Sequence, residues 1–257
     1  MDYQKLAEEV RINGLVTLSG VYTREECNRF KKRADEIITE FVAEKKFLIH
    51  QNCQYIFSPF RLDPDFFNLL INDPTDNLLK ILLDDDYVLI QATMNNRKNR
   101  TDIETGHHKS LGDDWHTDSR YLDGRRLDRG FGYLMAVMLD DFTEENGGTH
   151  YVPGSHLIRS VPERQGNYKY NVLAGTAGTV VVMDSGMWHR SGPSSNQDRW
   201  AVFNVFGPWF MKPYYDYPKM LGPELGATLS KRTRKLLHYT SIPPLNEDER
   251  VNTLIRE

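Results

Sequence analysis

Cysteine is scarce: Cys27 and Cys53 are the two thiols in 257 residues, too few for a disulfide scaffold, and the N-terminus shows no charged-then-apolar leader. A reducing, cytoplasmic setting is the expectation. Also missing is any apolar run near the roughly 18 residues that a membrane span requires, because Asp, Arg or Gly interrupts each stretch. Strong charge of one sign is absent as well. With Lys+Arg 32 against Asp+Glu 36, the net charge of -4 gives no general electrostatic reason to bind nucleic acid or an anionic membrane surface. There is no internal repeat, low-complexity tract or heptad array. These absences leave a chain with 39% hydrophobic residues, enough for one real core, whose expected partner is a small molecule. We read a single domain over residues 1–257: mainly helical support over 1–86, a β core over 87–210 and a C-terminal extension over 211–257.

The hydrophobic period carries that division. Cys27, Phe30, Ala34, Ile37, Ile38, Phe41 and Val42 recur at three- and four-residue steps, predicting an amphipathic helix over Thr23–Lys45, with Thr23 and Glu26 as its capping box. A second helical stretch is expected from Asp63 to Leu83, interrupted at Asp73-Pro74 because proline disfavours helical geometry in the residue before it. From Tyr87 the period becomes strand-like over Tyr87–Met94, Phe131–Leu139, Thr149–Val152, Thr179–Met183 and Arg199–Phe206, each bounded by turn residues. Helices followed by antiparallel strands point to an α+β domain with a β-sandwich or jelly-roll centre. The stretch Asn95–Asp114 is polar and basic, with Arg97, Lys98 and Arg100, and reads as a loop or lid. Helical character returns from Pro223 to Tyr239.

Within Asp114-Trp115-His116-Thr117-Asp118, a histidine and a carboxylate lie two apart. On a strand such side chains share one face, so His116 and Asp118 can hold one metal ion. His189, after the strand Thr179–Met183 and the turn Asp184-Ser185-Gly186, is the natural third ligand. Two imidazoles and one carboxylate leave three positions open, the facial triad suited to Fe(II) and O2. The bland alternative for any His-x-Asp pair is a surface hydrogen bond. His150 and His156 read first as structural histidines hydrogen-bonded at a turn, His107 and His108 as solvated, and His50 and His238 as lacking partners. Ten residues after His189 comes Arg199, with Ser191 between them. A guanidinium is the two-pronged partner that the far carboxylate of a dicarboxylate co-substrate needs, and Ser191 can add a hydrogen bond; a rim salt bridge with Asp198 or Glu144 is the competing reading of Arg199.

Three stretches together resemble the phytanoyl-CoA dioxygenase family of 2-oxoglutarate oxygenases, which includes ectoine hydroxylase. They are Trp115–Asp118, Glu145-Asn146-Gly147-Gly148-Thr149 leading to Val152-Pro153-Gly154-Ser155-His156, and His189-Arg190-Ser191 leading to Arg199. The opening, Ile12–Val16 followed by Thr23–Glu26, is also similar to the family's entry strand and first helix. The resemblance implies a double-stranded β-helix with Fe(II) between its sheets and 2-oxoglutarate and O2 as co-substrates. It implies Asn95 and the weaker candidate Thr149 as contacts of 2-oxoglutarate, and Gln91 near the substrate; a buried polar pair bridging strands is the other reading of Gln91 and Asn95. His189 and Arg199 are one residue closer than in some relatives.

Hydroxylation of a C–H bond, with release of succinate and CO2, is the implied default; desaturation, cyclisation and epoxidation share the same core, and Asp118 disfavours halogenation. Arg120, two beyond Asp118, is either part of a self-paired loop with Arg125, Arg126 and Arg129 or a holder of a substrate carboxylate or phosphate. Trp188, Phe206, Trp209, Phe210, Tyr214 and Tyr215 are either core or pocket wall, Trp188 being the one assigned to the substrate. The expected substrate is a compact polar metabolite or natural-product intermediate. A Zn(II) hydrolase on the same ligands lacks an evident general base, and an idle binding protein would be expected to have lost a ligand or the arginine.

Overall fold

The computed structural model describes residues 1–41, 48–50, 53–97, 113–118, 131–158, 160–193 and 197–249. In chain order the elements are α1 (Tyr3–Asn13), β1 (Leu15–Leu18), α2 (Arg24–Phe41), β2 (Leu48–His50), β3 (Cys53–Phe57), α3 (Asp73–Leu83), β4 (Val88–Arg97), β5 (Tyr133–Met138), β6 (His150–Tyr151), β7 (Asn171–Val172), β8 (Val180–Asp184), β9 (His189–Arg190), β10 (Arg199–Gly207), α4 (Tyr217–Thr228) and α5 (Lys231–Leu236).

The capping box at the start of α2 is reciprocal. Glu26 Oε2 accepts from the Thr23 backbone N–H at 2.8 Å, and Thr23 Oγ1 accepts from the Glu26 N–H at 3.2 Å. The helix buries Cys27, Phe30, Ala34, Ile37 and Ile38; its expected continuation from Val42 to Lys45 lies outside the described residues. The anticipated helix over 63–83 divides instead into a 3-10 segment at Pro64–Leu69 and α3. The expected break falls just before Asp73-Pro74, which opens α3: Asn72 caps it, and a proline in the first turn loses no hydrogen bond. Helix α4 begins earlier than Pro223 and is kinked at Gly222, and α5 follows separately.

Seven strands form one antiparallel sheet in the order β1-β8-β5-β10-β4-β3-β2, and three form a second, β7-β6-β9. This is the jelly-roll core expected, with strands β1 to β3 contributed by the first 86 residues, where only helices and one short entry strand were anticipated. Strand β5, and β8 from Val180 to Met183, are buried on both faces, which explains their unbroken apolar runs. Met135, Val137, Val180 and Val182 pack outward against Phe30, Ile37 and Leu79 of the helices. Leu134, Ala136, Val181 and Met183 point the other way, into the space between the sheets.

His238, which lacked an evident partner in the sequence, donates to the Leu89 carbonyl at 2.9 Å and ties the end of α5 to β4. The side chain of His50, like His107 and His108, lies outside the described residues. Cys27 and Cys53 are buried thiols. Among the described residues no helix is long and apolar enough to cross a membrane.

Candidate metal centre

His116, Asp118 and His189 come together as the spacing predicts, with one potential ligand atom from each lying within 4.8 Å of the others. His116 Nε2 is 4.0 Å and His189 Nε2 3.5 Å from the Asp118 carboxylate. The route differs from the one expected. Residues 113–118 form no continuous strand: His116 makes an isolated bridge with His189, each N–H donating to the other's carbonyl at 3.0 Å. The Asp118 N–H then donates to the Ser185 carbonyl at 2.9 Å, so the segment is pinned at both ligands to the chain that carries the third.

The imidazoles are held in one tautomer. His116 Nδ1 lies 2.8 Å from the Asp114 carbonyl and His189 Nδ1 2.9 Å from that of Met187. A carbonyl only accepts, so each Nδ1 carries the proton and each Nε2 offers a lone pair toward Asp118. Burial and the neighbouring His189 also push the His116 pKa down, which keeps the ring neutral. Two neutral imidazoles and a carboxylate on one side of a point are a donor set that fits a divalent first-row metal.

The three ligands open on a cavity of about 210 Å³ between the sheets. Of the positions assigned to a co-substrate, Asn95, Thr149 and Ser191 line it, as does Gln91. Gln91 Nε2 donates to Thr93 Oγ1 at 3.1 Å, a same-face pair within β4. Arg199 is no rim residue. It is 4% exposed, donating from Nε and Nη2 to the carbonyls of Asn146 and Gly147 at 3.2 and 2.8 Å, with its Cζ 3.9 Å from the Phe142 ring centre. Its Nη1 and Asn95 Oδ1 are buried without partners among the described residues; Asn95 lines the cavity, and Arg199 lies behind the lining residues. Burial, then the nearby Arg97, lower the Arg199 pKa to about 9.

The turn after Asp141 presents those carbonyls. Asn146 Oδ1 accepts from the Thr143 N–H and its Nδ2 donates to the Asp141 carbonyl, knotting the loop. Gly147 has φ +80, and an added Cβ there would meet the Gly192 carbonyl at 3.0 Å.

Trp188 is a correction, while His150 and His156 are structural as expected. Trp188 does not line the cavity: it faces away from His189, donates from Nε1 to the Ser160 carbonyl and packs on Tyr168. His156 is structural through the Arg11 carbonyl, 3.1 Å away. His150 is structural too, but by stacking on Tyr170 at 4.1 Å, since both ring nitrogens are buried without hydrogen bonds among the described residues. Phe206 is core, whereas Trp209, Phe210, Tyr214 and Tyr215 are exposed. Arg120, Arg125, Arg126 and Arg129 lie outside the described residues.

The sequence reading missed three residues. Arg97, read as part of a basic loop, ends β4, is 6% exposed and pairs with Asp113 at 2.8 Å. Tyr55 and Phe57 of β3 line the cavity from a segment read as helical support. The two-residue rhythm of Gln91, Thr93, Asn95 and Arg97, and of Cys53, Tyr55 and Phe57, was the available signal.

Across residues 10–201 the chain matches the family model described as Phytanoyl-CoA dioxygenase. An uncharacterized protein of Mycobacterium tuberculosis is 34% identical over 124 residues, 46% of this chain and 45% of that protein. Dioxygenase af480 of Aspergillus fumigatus is 33% identical over 109 residues, 40% of this chain and 35% of its own length. The matched stretch thus spans less than half of either relative. Among solved structures, HygX from Streptomyces hygroscopicus with nickel and 2-oxoglutarate bound superposes with a TM-score of 0.65 at 15% identity, over 85% of this chain and 94% of that one. That likeness is one of fold.

Proposed function

The chain belongs to the phytanoyl-CoA dioxygenase family, and from that membership we propose that it is an Fe(II)- and 2-oxoglutarate-dependent oxygenase. The observation that carries the reading is the cluster of His116, Asp118 and His189, two tautomer-locked imidazoles and a carboxylate facing one cavity. Its preferred outcome is hydroxylation of an unactivated C–H bond in a small metabolite or natural-product intermediate. Desaturation, cyclisation and epoxidation are alternatives on the same core.

His116, Asp118 and His189 would hold the iron. Bound Fe(II), with 2-oxoglutarate and O2, supplies the oxidising power, the oxoacid leaving as succinate and CO2. The chain's own residues do the rest. Arg199 is the cation for the far carboxylate of 2-oxoglutarate, with its planar fork pre-set by Asn146 and Gly147. Ser191, Thr149 and Asn95 supply neutral hydrogen-bonding groups along the same wall. Leu134, Ala136, Val181 and Met183 exclude water from the space in front of the ligands.

The test is anaerobic titration with Fe(II) and then 2-oxoglutarate, watching for the visible charge-transfer band of the chelate. The band is expected in the wild-type protein, absent in His116→Ala and weakened in Arg199→Ala. A protein that binds Fe(II) but develops no band overturns the oxygenase reading and favours a metal-dependent hydrolase.

A further inference from the structure

We propose that the substrate is an uncharged compound with a large apolar, ring-containing portion, and that this portion lies on the aromatic segment between β10 and α4. The inference rests on the oxygenase reading, which makes the cavity in front of the ligands the place of reaction.

The cavity wall speaks first. Among the described residues, Asp118 is the one charged side chain that lines it. Beyond the polar wall assigned to 2-oxoglutarate, the lining is largely apolar and includes Phe57, Leu134, Leu173, Phe203 and Val205, with Tyr55 beside them. Of the polar pair there, Gln91 donates one amide N–H to Thr93 Oγ1, which leaves uncharged donors and an acceptor for a neutral polar group. An ionised group pushed into such a space would lose its hydration and meet no partner of opposite charge among the described lining residues beyond the polar wall, whereas a neutral ring buries apolar area.

The second observation is independent of the wall and lies outside it. Val205 lines the cavity and β10 ends two residues later at Gly207. The chain then carries Trp209, Phe210, Tyr214 and Tyr215, which are 60%, 64%, 65% and 37% exposed. Lys212 is the one charge among them. This segment does not wander from the site. The Tyr214 N–H donates to the Ile90 carbonyl at 3.0 Å, and the next residue, Gln91, lines the cavity. The Tyr215 ring centre is 6.5 Å from that of Phe57, and Phe57 stacks on Tyr55 at 6.1 Å. Aromatic rings therefore run from the cavity wall through Phe57 to the part-exposed Tyr215. Four large exposed aromatic side chains fall within seven residues, Trp209 packing on Phe210 and Tyr215 on Phe57, and exposed apolar groups gathered in this way mark a binding surface. Its continuity with the cavity identifies the occupant as the outer part of the molecule whose inner part reaches the ligands.

The experiment uses the full chain loaded anaerobically with Fe(II) and 2-oxoglutarate. It compares 2-naphthol with 2-naphthalenesulfonate, one ring system with and without charge, by the probes' own emission. The neutral probe is expected to bind at least tenfold more tightly, and Tyr215→Ser and Trp209→Ser to weaken it at least threefold. Both variants change exposed side chains and leave the chelate band intact. Equal or tighter binding of the sulfonate overturns the proposal, as does neutral-probe binding that neither variant changes. Sedimentation supplies a third arm: a dimer that Trp209→Ser dissociates assigns the patch to a second copy of the chain and also overturns it. Loss of the chelate band in the wild-type protein, by contrast, sinks the oxygenase reading, whatever the probes do.

Discussion

Arg97 and Arg199 stand directly opposite one another on β4 and β10, both more than nine-tenths buried and both on the face that Asn95 turns into the cavity. Like charges in register across a sheet repel. Asp113 balances Arg97, while Arg199 donates only to neutral carbonyls. The pair is therefore a buried cationic site that an anion stabilises. Arg199→Gln is expected to weaken 2-oxoglutarate by about tenfold or more, the loss of a charge-assisted hydrogen bond. Arg97→Gln, acting through its field alone, should weaken it by about two- to fivefold, less than 1 kcal/mol. The thermal midpoint measured against 2-oxoglutarate concentration gives both affinities. An Arg97 variant with unaltered affinity would mean that Asp113 cancels that charge completely.

His150 makes the protein sensitive to acid. Its ring is buried against Tyr170, and burial, then the Arg190 charge, push its pKa down to about 4 from the usual 6.5. Between those two pH values the unfolded chain binds the extra proton and the folded one refuses it. The stability is thus fully present above about pH 6.5 and falls by up to about 3 kcal/mol as the pH approaches 4. In His150→Phe the slope contributed by this group should vanish. Urea unfolding at pH 7 and at pH 5 measures the difference, and an unchanged slope in the variant would refute the assignment.

Arg190 follows a ligand and touches neither metal nor cavity. Its guanidinium sits 4.6 Å from the ring centre of Trp115 and 5.6 Å from that of Tyr170, so it clamps the residue preceding His116 to the strand that carries His189. Arg190→Met is predicted to lower Co(II) affinity on the order of tenfold, as loss of an outer-shell support does. Far-UV circular dichroism should stay the same. Affinity within a factor of two of the wild type would remove Arg190 from the positioning set.

The α2 cap offers a control remote from the site. Thr23→Ala removes the acceptor for the Glu26 N–H and should cost about 1 kcal/mol in urea unfolding. The chelate band should not move.

The helical and strand periods of this chain were legible because burial acts on them directly. Cys27, Phe30, Ala34 and Ile37 repeat as a helix stripe since one face of α2 is dry, and the capping box needs residues only three apart. The two-residue spacing of His116 and Asp118 was equally visible, although the geometry behind it is an isolated bridge and a bend. Short segments were harder. The hairpin of β2 and β3 is so short that its faint two-residue rhythm at Cys53, Tyr55 and Phe57 does not stand out, and the pairing of β3 with β4 is what fixes it.

By itself the sequence determined the antiparallel core, the helices laid on it and the three residues, two histidines and an aspartate, that converge on one point, because each follows from local spacing and the need to bury apolar side chains. Tertiary structure alone decided which nitrogen of each imidazole faces Asp118, since that depends on carbonyls placed by the backbone. It also decided that Arg97 is buried opposite Arg199, that Trp188 turns away from the cavity, and that Tyr55 and Phe57 wall it. Those positions depend on strand register and sheet order, long-range choices made by the packing of residues far apart in the chain.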